Sequence, residues 1–138
     1  MRVDVDRALE FIREQHEAVM LTYRRDRAPQ LSPVACNVDA AGRIVVSTRE
    51  TALKTKNLRR DPRVSLCVLS SGFYGSWIQV DGTSEVVSLP DAMEPLVDYY
   101  RTTTGEHPDW DDYRAAMVRE QRVIVRITPE RAGPDRSG

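Results

Sequence analysis

Hydrophobic and polar positions follow two different periods along this chain, and the switch between them organises it. Val5, Ala8, Leu9 and Ile12 recur at helical spacing with Asp4 and Asp6 early, so residues 3–15 read as an amphipathic helix. From Ala18 the period shortens. Residues 18–23 (AVMLTY) predict a strand, 24–27 a polar hairpin turn, and 30–38 (QLSPVACNV) the returning strand. Pro33 inside that strand has no N–H for the ladder, which predicts an edge or a bulge. Residues 39–42 turn the chain into a third strand at 43–47. The nearly all-apolar run 64–69 (VSLCVL) predicts a buried central strand, and 76–87 a long one with a bulge or bend at Gly82. Residues 90–100 then read as a helix with Pro90 near its first turn, and 109–119 as a second helix. Residues 122–127 (RVIVRI) close the pattern with an alternating strand. The Pro/Gly/Arg/Ser-rich residues 129–138 predict a frayed, flexible tail. Six short strands joined mostly by tight turns and decorated with helices predict a mainly β fold with helices, an α+β barrel, as one domain over residues 1–128.

At 138 residues the chain is long enough for one real core. A net charge of −1 with 30% charged residues gives no global field for nucleic acid, so any basic surface is local. No leader-like segment and no apolar run of membrane-spanning length occurs, which predicts a soluble cytoplasmic protein. Cys36 and Cys67 lie far apart among apolar neighbours and read as reduced, buried thiols.

Charge changes the picture at residues 47–62 (STRETALKTKNLRRDP). A strand should deliver the chain to Ser47 and Thr48; Thr51 is placed to cap a helix from Ala52, which Asp61-Pro62 ends. The chain's 20 basic residues include only two lysines, Lys54 and Lys56, and both lie here. Two hydroxyls, a helix start and a lysine form an anion cradle; a solvated basic helix face accounts for the same spacing about as well. His16 and His107 have no companion ligand at metal spacing, and no nucleophile elbow or dinucleotide fingerprint is present. Glu106, Asp109, Asp111 and Asp112 read as helix capping, with Asp109 at the N-cap. Tyr99, Tyr100, Trp110 and Tyr113 read as packing or subunit contacts. Trp77, after the flexible 72–76, covers a planar ring or packs in the core. Binding groups and apolar walls without an acid, base or nucleophile suit a protein whose redox cofactor does the chemistry.

Four motifs, PQLSPV (29–34), ALKTKNLRRDPRVSL (52–66), VDGTSEV (80–86) and GEHPDWDDYRAAMV (105–118), carry a resemblance. Together they resemble the pyridoxamine-phosphate-oxidase-like, FMN-binding split β-barrel family, and within it the deazaflavin-dependent reductases that use coenzyme F-420. The resemblance implies a homodimer with two sites at the subunit interface and no residue that must act as a general acid. By motif, Ser32, Pro33 and Val34 would lie along the cofactor ring, and Ser47, Thr48, Lys54 and Asn57 would hold its phosphate. Lys56 would face the acidic tail of F-420, and Trp77 would approach from the partner subunit. The implied reaction is hydride transfer from reduced F-420 to an electron-poor, planar small-molecule acceptor. Alternatives are an FMN-dependent oxidase or reductase of the same fold, and a non-catalytic cofactor-binding protein. The last is favoured by the end TPERAGPDRSG, where many relatives continue with an aromatic; a second departure, Ala52 where some relatives carry Arg, implies weaker cofactor binding. A nucleic-acid module built on Arg59, Arg60 and Arg63 is the weakest reading, given the charge and the absence of a reader motif.

Overall fold

The computed structural model describes residues 4–137, with side chains to residue 135. Residue 3, where the sequence sets the first helix to begin, lies outside them. Helix α1 (Val5–Glu14) starts where Asp4 accepts from the Asp6 N–H at 2.9 Å, and it buries Ala8, Leu9 and Ile12. Six strands follow: β1 (Glu17–Tyr23), β2 (Pro29–Val38), β3 (Ile44–Arg49), β4 (Arg63–Leu69), β5 (Ser76–Val87) and β6 (Arg122–Ser137). They pair antiparallel throughout and close in the order β1-β2-β3-β6-β5-β4. This is a split β-barrel of the α+β kind that the alternating pattern predicts. Helix α2 (Leu53–Arg60) lies between β3 and β4, and helices α3 (Met93–Thr104) and α4 (Trp110–Arg119) between β5 and β6.

Period-2 alternation sorts the side chains into two cores. Inward residues such as Met20, Val46, Leu66, Val68, Ile78, Val80 and Ile127 fill the barrel, which α1 closes with Leu9 and Ile12. The outward residues Val45 and Ile124 pack instead under α3 and α4, against Leu96, Val97, Tyr113 and Met117. Each such fully buried aliphatic contributes about 1.5–3 kcal/mol.

Several local expectations hold and others do not. Asp109 caps α4 by accepting from the Asp112 N–H at 3.1 Å. The β5 register shifts at Asp81/Gly82, as a mid-strand glycine implies; a Cβ there would press into the Thr128 carbonyl oxygen and stand 2.9 Å from Ile127 Cγ2. By contrast Thr51 does not cap α2. Its N-cap is Ala52, with no side-chain bond, and the helix begins one residue later than expected. Pro90 stands before α3 rather than in its first turn: it lies in a turn over residues 89–92, and the helix starts at Met93.

The largest correction concerns the tail. Residues 129–137 are not frayed: β6 runs to Ser137 and pairs with β5 as far back as Ser76. Two register irregularities make this possible. One sits at Asp81/Gly82, beside Pro129; the other, between Ile78 and Val80, takes up Gly133 and Pro134. Ala132 is 2% exposed in the barrel core, and Asp135 bonds Arg7 of α1 at 2.9 Å.

Candidate functional site

The barrel is split at one seam. β2 and β3 pair only at Cys36↔Val46, Asn37↔Val45 and Val38↔Ile44. Continued, that register would set Ala35 opposite Ser47 and Pro33 opposite Arg49, but the strands part. Residues 29–35 of β2 therefore have β1 on one side and no strand on the other. The Cys36 N–H donates to the His16 carbonyl and the Arg24 N–H to the Ala28 carbonyl, so even-numbered residues of β2 point their backbone groups at β1. Odd-numbered residues point theirs into the split. Leu31 and Ala35 each present an N–H and a carbonyl there, and Pro33 a carbonyl alone. This is the structural outcome of the mid-strand proline: it sits on a free edge.

Ser32, Pro33 and Val34 line that edge, but alternation divides them. Pro33 is exposed on the outer face, whereas Ser32 and Val34 turn inward, and Val34 packs against the barrel core. Ser32 Oγ is buried and has no hydrogen-bond partner among the described residues. Across the split Ser47 is outward and half-buried, while Thr48 turns inward and is 6% exposed.

Lys54 lies near Arg122. It is half-buried, no carboxylate among the described residues pairs with it, and its pKa is held below the ordinary lysine value by burial first and by the Arg122 charge second. Arg122 stands opposite Arg49 on the outward row of β6 and bonds Glu120 at 2.9 Å. Lys54 and Arg122 bring two positive charges to the strand end bearing Ser47, and Glu120, the one carboxylate paired with Arg122 among the described residues, is shared with Arg49. Sequence reasoning missed Arg122. Its signal was the alternation R-V-I-V-R in residues 122–126, which puts both arginines and Ile124 on one face.

Tyr99, expected in packing or a subunit contact, packs against the core under α3 and α4 and also reaches the split. Its hydroxyl donates to the Ala35 carbonyl at 2.9 Å, and burial pushes its pKa up to about 12, so it stays a neutral donor. The other late aromatics behave as read: Tyr100, Trp110 and Tyr113 stack around His107 with centroids 5.0 to 5.8 Å apart.

Three predicted site residues stand elsewhere in this chain. Asn57 is 0% exposed; its Nδ2 donates to Thr22 Oγ1 at 3.1 Å and its Oδ1 accepts from Arg60 at 2.7 Å. It holds α2 against β1. Lys56 is exposed, two residues and so roughly 200° around the helix from Lys54. Trp77 lines a cleft of about 540 Å³ with Phe11, Glu10 and Glu14 of α1, away from the split.

The cysteines face opposite ways: Cys36 lies in the barrel, where burial pushes its thiol up to about 12, and Cys67 is half-buried on β4. No described helix is long and apolar enough to cross a membrane.

The family model for pyridoxamine 5'-phosphate oxidase matches residues 5–134. Among solved structures, a conserved hypothetical protein from Mycobacterium tuberculosis is 26% identical, with 94% of this chain and 82% of that one aligned at a TM-score of 0.75. An F-420 reductase is 20% identical over 90% and 94%, at 0.67. A protein from Listeria innocua described as a pyridoxamine 5'-phosphate oxidase is 15% identical over 94% and 95%, also at 0.67.

Proposed function

We propose, from the premise that this chain belongs to the pyridoxamine 5'-phosphate oxidase family, that it is an F-420-dependent reductase. The observation that carries the reading is Lys54, half-buried without a carboxylate and beside Arg122 at the Ser47 end of the split. Ser47, Lys54 and Arg122 would take a cofactor phosphate. The Leu31 and Ala35 N–H groups and the Pro33 carbonyl, which no strand pairs, would meet the polar edge of a planar ring, and the orphaned Ser32 Oγ lies on the same strand. When bound, the deazaflavin supplies a hydride for an electron-poor, conjugated acceptor. The chain's task is to bind, orient and exclude water, which needs no protein acid or base. Lys56 favours F-420 over FMN: it is exposed on the far side of α2, where it would meet an anionic tail extending beyond the cradle.

The working unit is a homodimer in the cytoplasm. On the outer face of β2-β1-β4, Leu31 is 62% exposed, and Val19, Leu21, Cys67 and Leu69 are half-buried around it. A second copy seated on this apolar sheet face would cover it and bring a partner's residues to the split.

Tryptophan-quenching titrations of the protein with F-420 and, separately, with FMN test the reading. Tight quenching by F-420 with weak binding of FMN is the expected result. Preference for FMN moves the protein to the flavin-dependent members of the fold, and binding of neither removes the cradle. Sedimentation should show a dimer at micromolar protein.

A further inference from the structure

The outward row of β6 carries a second arginine, Arg126, beyond Ile124, and its position is unusual. It stands mid-sheet between Val45 of β3 and Glu85 of β5. There it borders a cavity of about 730 Å³ between α3 and the strands β2, β3 and β6. We propose that this cavity is a second anion site, for a small molecule with a carboxylate or phosphate group on an apolar body. The proposal does not rest on the identity of the cofactor.

Three observations carry it. First, the Arg126 side chain is 23% exposed and its Nε is buried with no acceptor among the described residues; its ion pair there, to the 65% exposed Glu85, is long at 3.4 Å. A buried guanidinium N–H is costly to leave unmatched, so this geometry is held for an acceptor. Second, Asn37 is 2% exposed in the same wall. Its carbonyl oxygen accepts from the Val38 N–H, but its Nδ2 donates only to Thr103 Oγ1 at 3.2 Å, leaving one N–H free among the described residues. Third, charge in the lining is unbalanced. Arg43 is matched by Asp39 at 3.0 Å and Arg101 by Asp98 at 3.8 Å, while Arg13 at the end of α1 and Arg126 have no carboxylate of the lining.

A planar guanidinium with free N–H groups takes a carboxylate or phosphate oxygen, and the Asn37 amide supplies a second donor. Val45 and Pro95 give the apolar wall that excludes a bare, fully hydrated ion as the best occupant. The volume suits a small organic acid. Tyr99 separates this cavity from the split: it lines the cavity while its hydroxyl holds the Ala35 carbonyl.

The test is a nuclear magnetic resonance titration of the full chain with benzoate and with inorganic phosphate, following the Asn37 side-chain amide and the Arg126 Nε–H. Saturable shifts of both signals with benzoate are expected, weakened about tenfold or more in Arg126→Gln and unchanged in Lys54→Ala. Saturation by phosphate in place of benzoate would keep the site and assign it to phosphate-bearing molecules. Arg13→Ala, at an exposed helix end, should weaken binding as well and serves if Arg126→Gln does not fold. The proposal fails if neither probe saturates at millimolar concentration, or if Lys54→Ala removes the binding, which would assign the anion to the cradle.

Discussion

Replacing Lys54 by Met keeps the side chain's reach and removes its charge, so it separates a binding role from a folding one. In the free protein Lys54 loses almost nothing by the change. No described carboxylate pairs with it, and the nearby Arg122 charge acts against it. Stability should therefore move by no more than about 0.5 kcal/mol, or roughly 2 °C in Tm for a domain of this size. Binding should respond differently. A charged hydrogen bond to a phosphate is worth about 1.5–3 kcal/mol, so the Kd for the cofactor should rise about 10- to 150-fold. The pH dependence supplies a second readout. A bound anion favours the protonated amine and raises its pKa, so the Lys54 contribution is complete below the depressed value of the free protein. It is lost as pH rises through that value toward the ordinary lysine range. Wild-type affinity should fall over that alkaline window, while the Lys54→Met profile stays flat there. Fluorescence titration and thermal melts on the same samples give both quantities. An affinity changed by less than about twofold, or a Tm loss that tracks the affinity loss, would refute the reasoning.

Gly82→Ala should destabilise the fold by about 1–3 kcal/mol in denaturant melts, because its Cβ meets the rigid Thr128 carbonyl rather than a movable side chain. Asn57→Ala should cost about 2–4 kcal/mol, since it empties a buried site and leaves Thr22 without its amide partner; the loss should appear in melts of cofactor-free protein. Ending the chain after Thr128 should abolish cooperative unfolding rather than trim a loose end. It strips the β6 partner from Ser76–Gly82 and removes Ala132 from the core, and a near-native melt of the shortened chain would contradict the β6 pairing.

The parts of this molecule that could be read ahead are those whose own residues decide them. Val-, Ile- and Leu-rich alternation places β1, β3 and β4 to within two residues at either end, and Asp109 and Gly82 act through local geometry that their residue types announce. Residues 129–137 resisted because nothing in PERAGPDRS favours a strand. Their conformation comes from the length of β5, which outlasts residues 122–128 and offers its ladder to whatever follows, with bulges absorbing what does not fit. At the site the same division holds. The lysine and the strand-end hydroxyls stand out as residue types, but which side chains turn toward the split depends on register, and one residue's difference sends Ser32 and Thr48 inward and Pro33 and Ser47 outward. Asn57 looks like any polar residue on a polar helix. Its burial follows from Thr22, 35 residues earlier in the chain, which no local pattern could point to.

The free edge of β2 also bears on how this protein avoids strand-to-strand assembly. A strand with one side unpaired is a template on which another chain's strand can add, the first step of uncontrolled assembly. Here the template is already spoiled. Pro33 removes the middle N–H of the edge, the Gln30 amide occupies the Leu31 carbonyl at 3.0 Å, and the Tyr99 hydroxyl occupies that of Ala35. Over Leu31–Ala35 an incoming strand would find two of three acceptors taken and one of three donors missing, whereas a small ring needs only the groups that remain. The split can thus stay open to a ligand while closed to polymerisation.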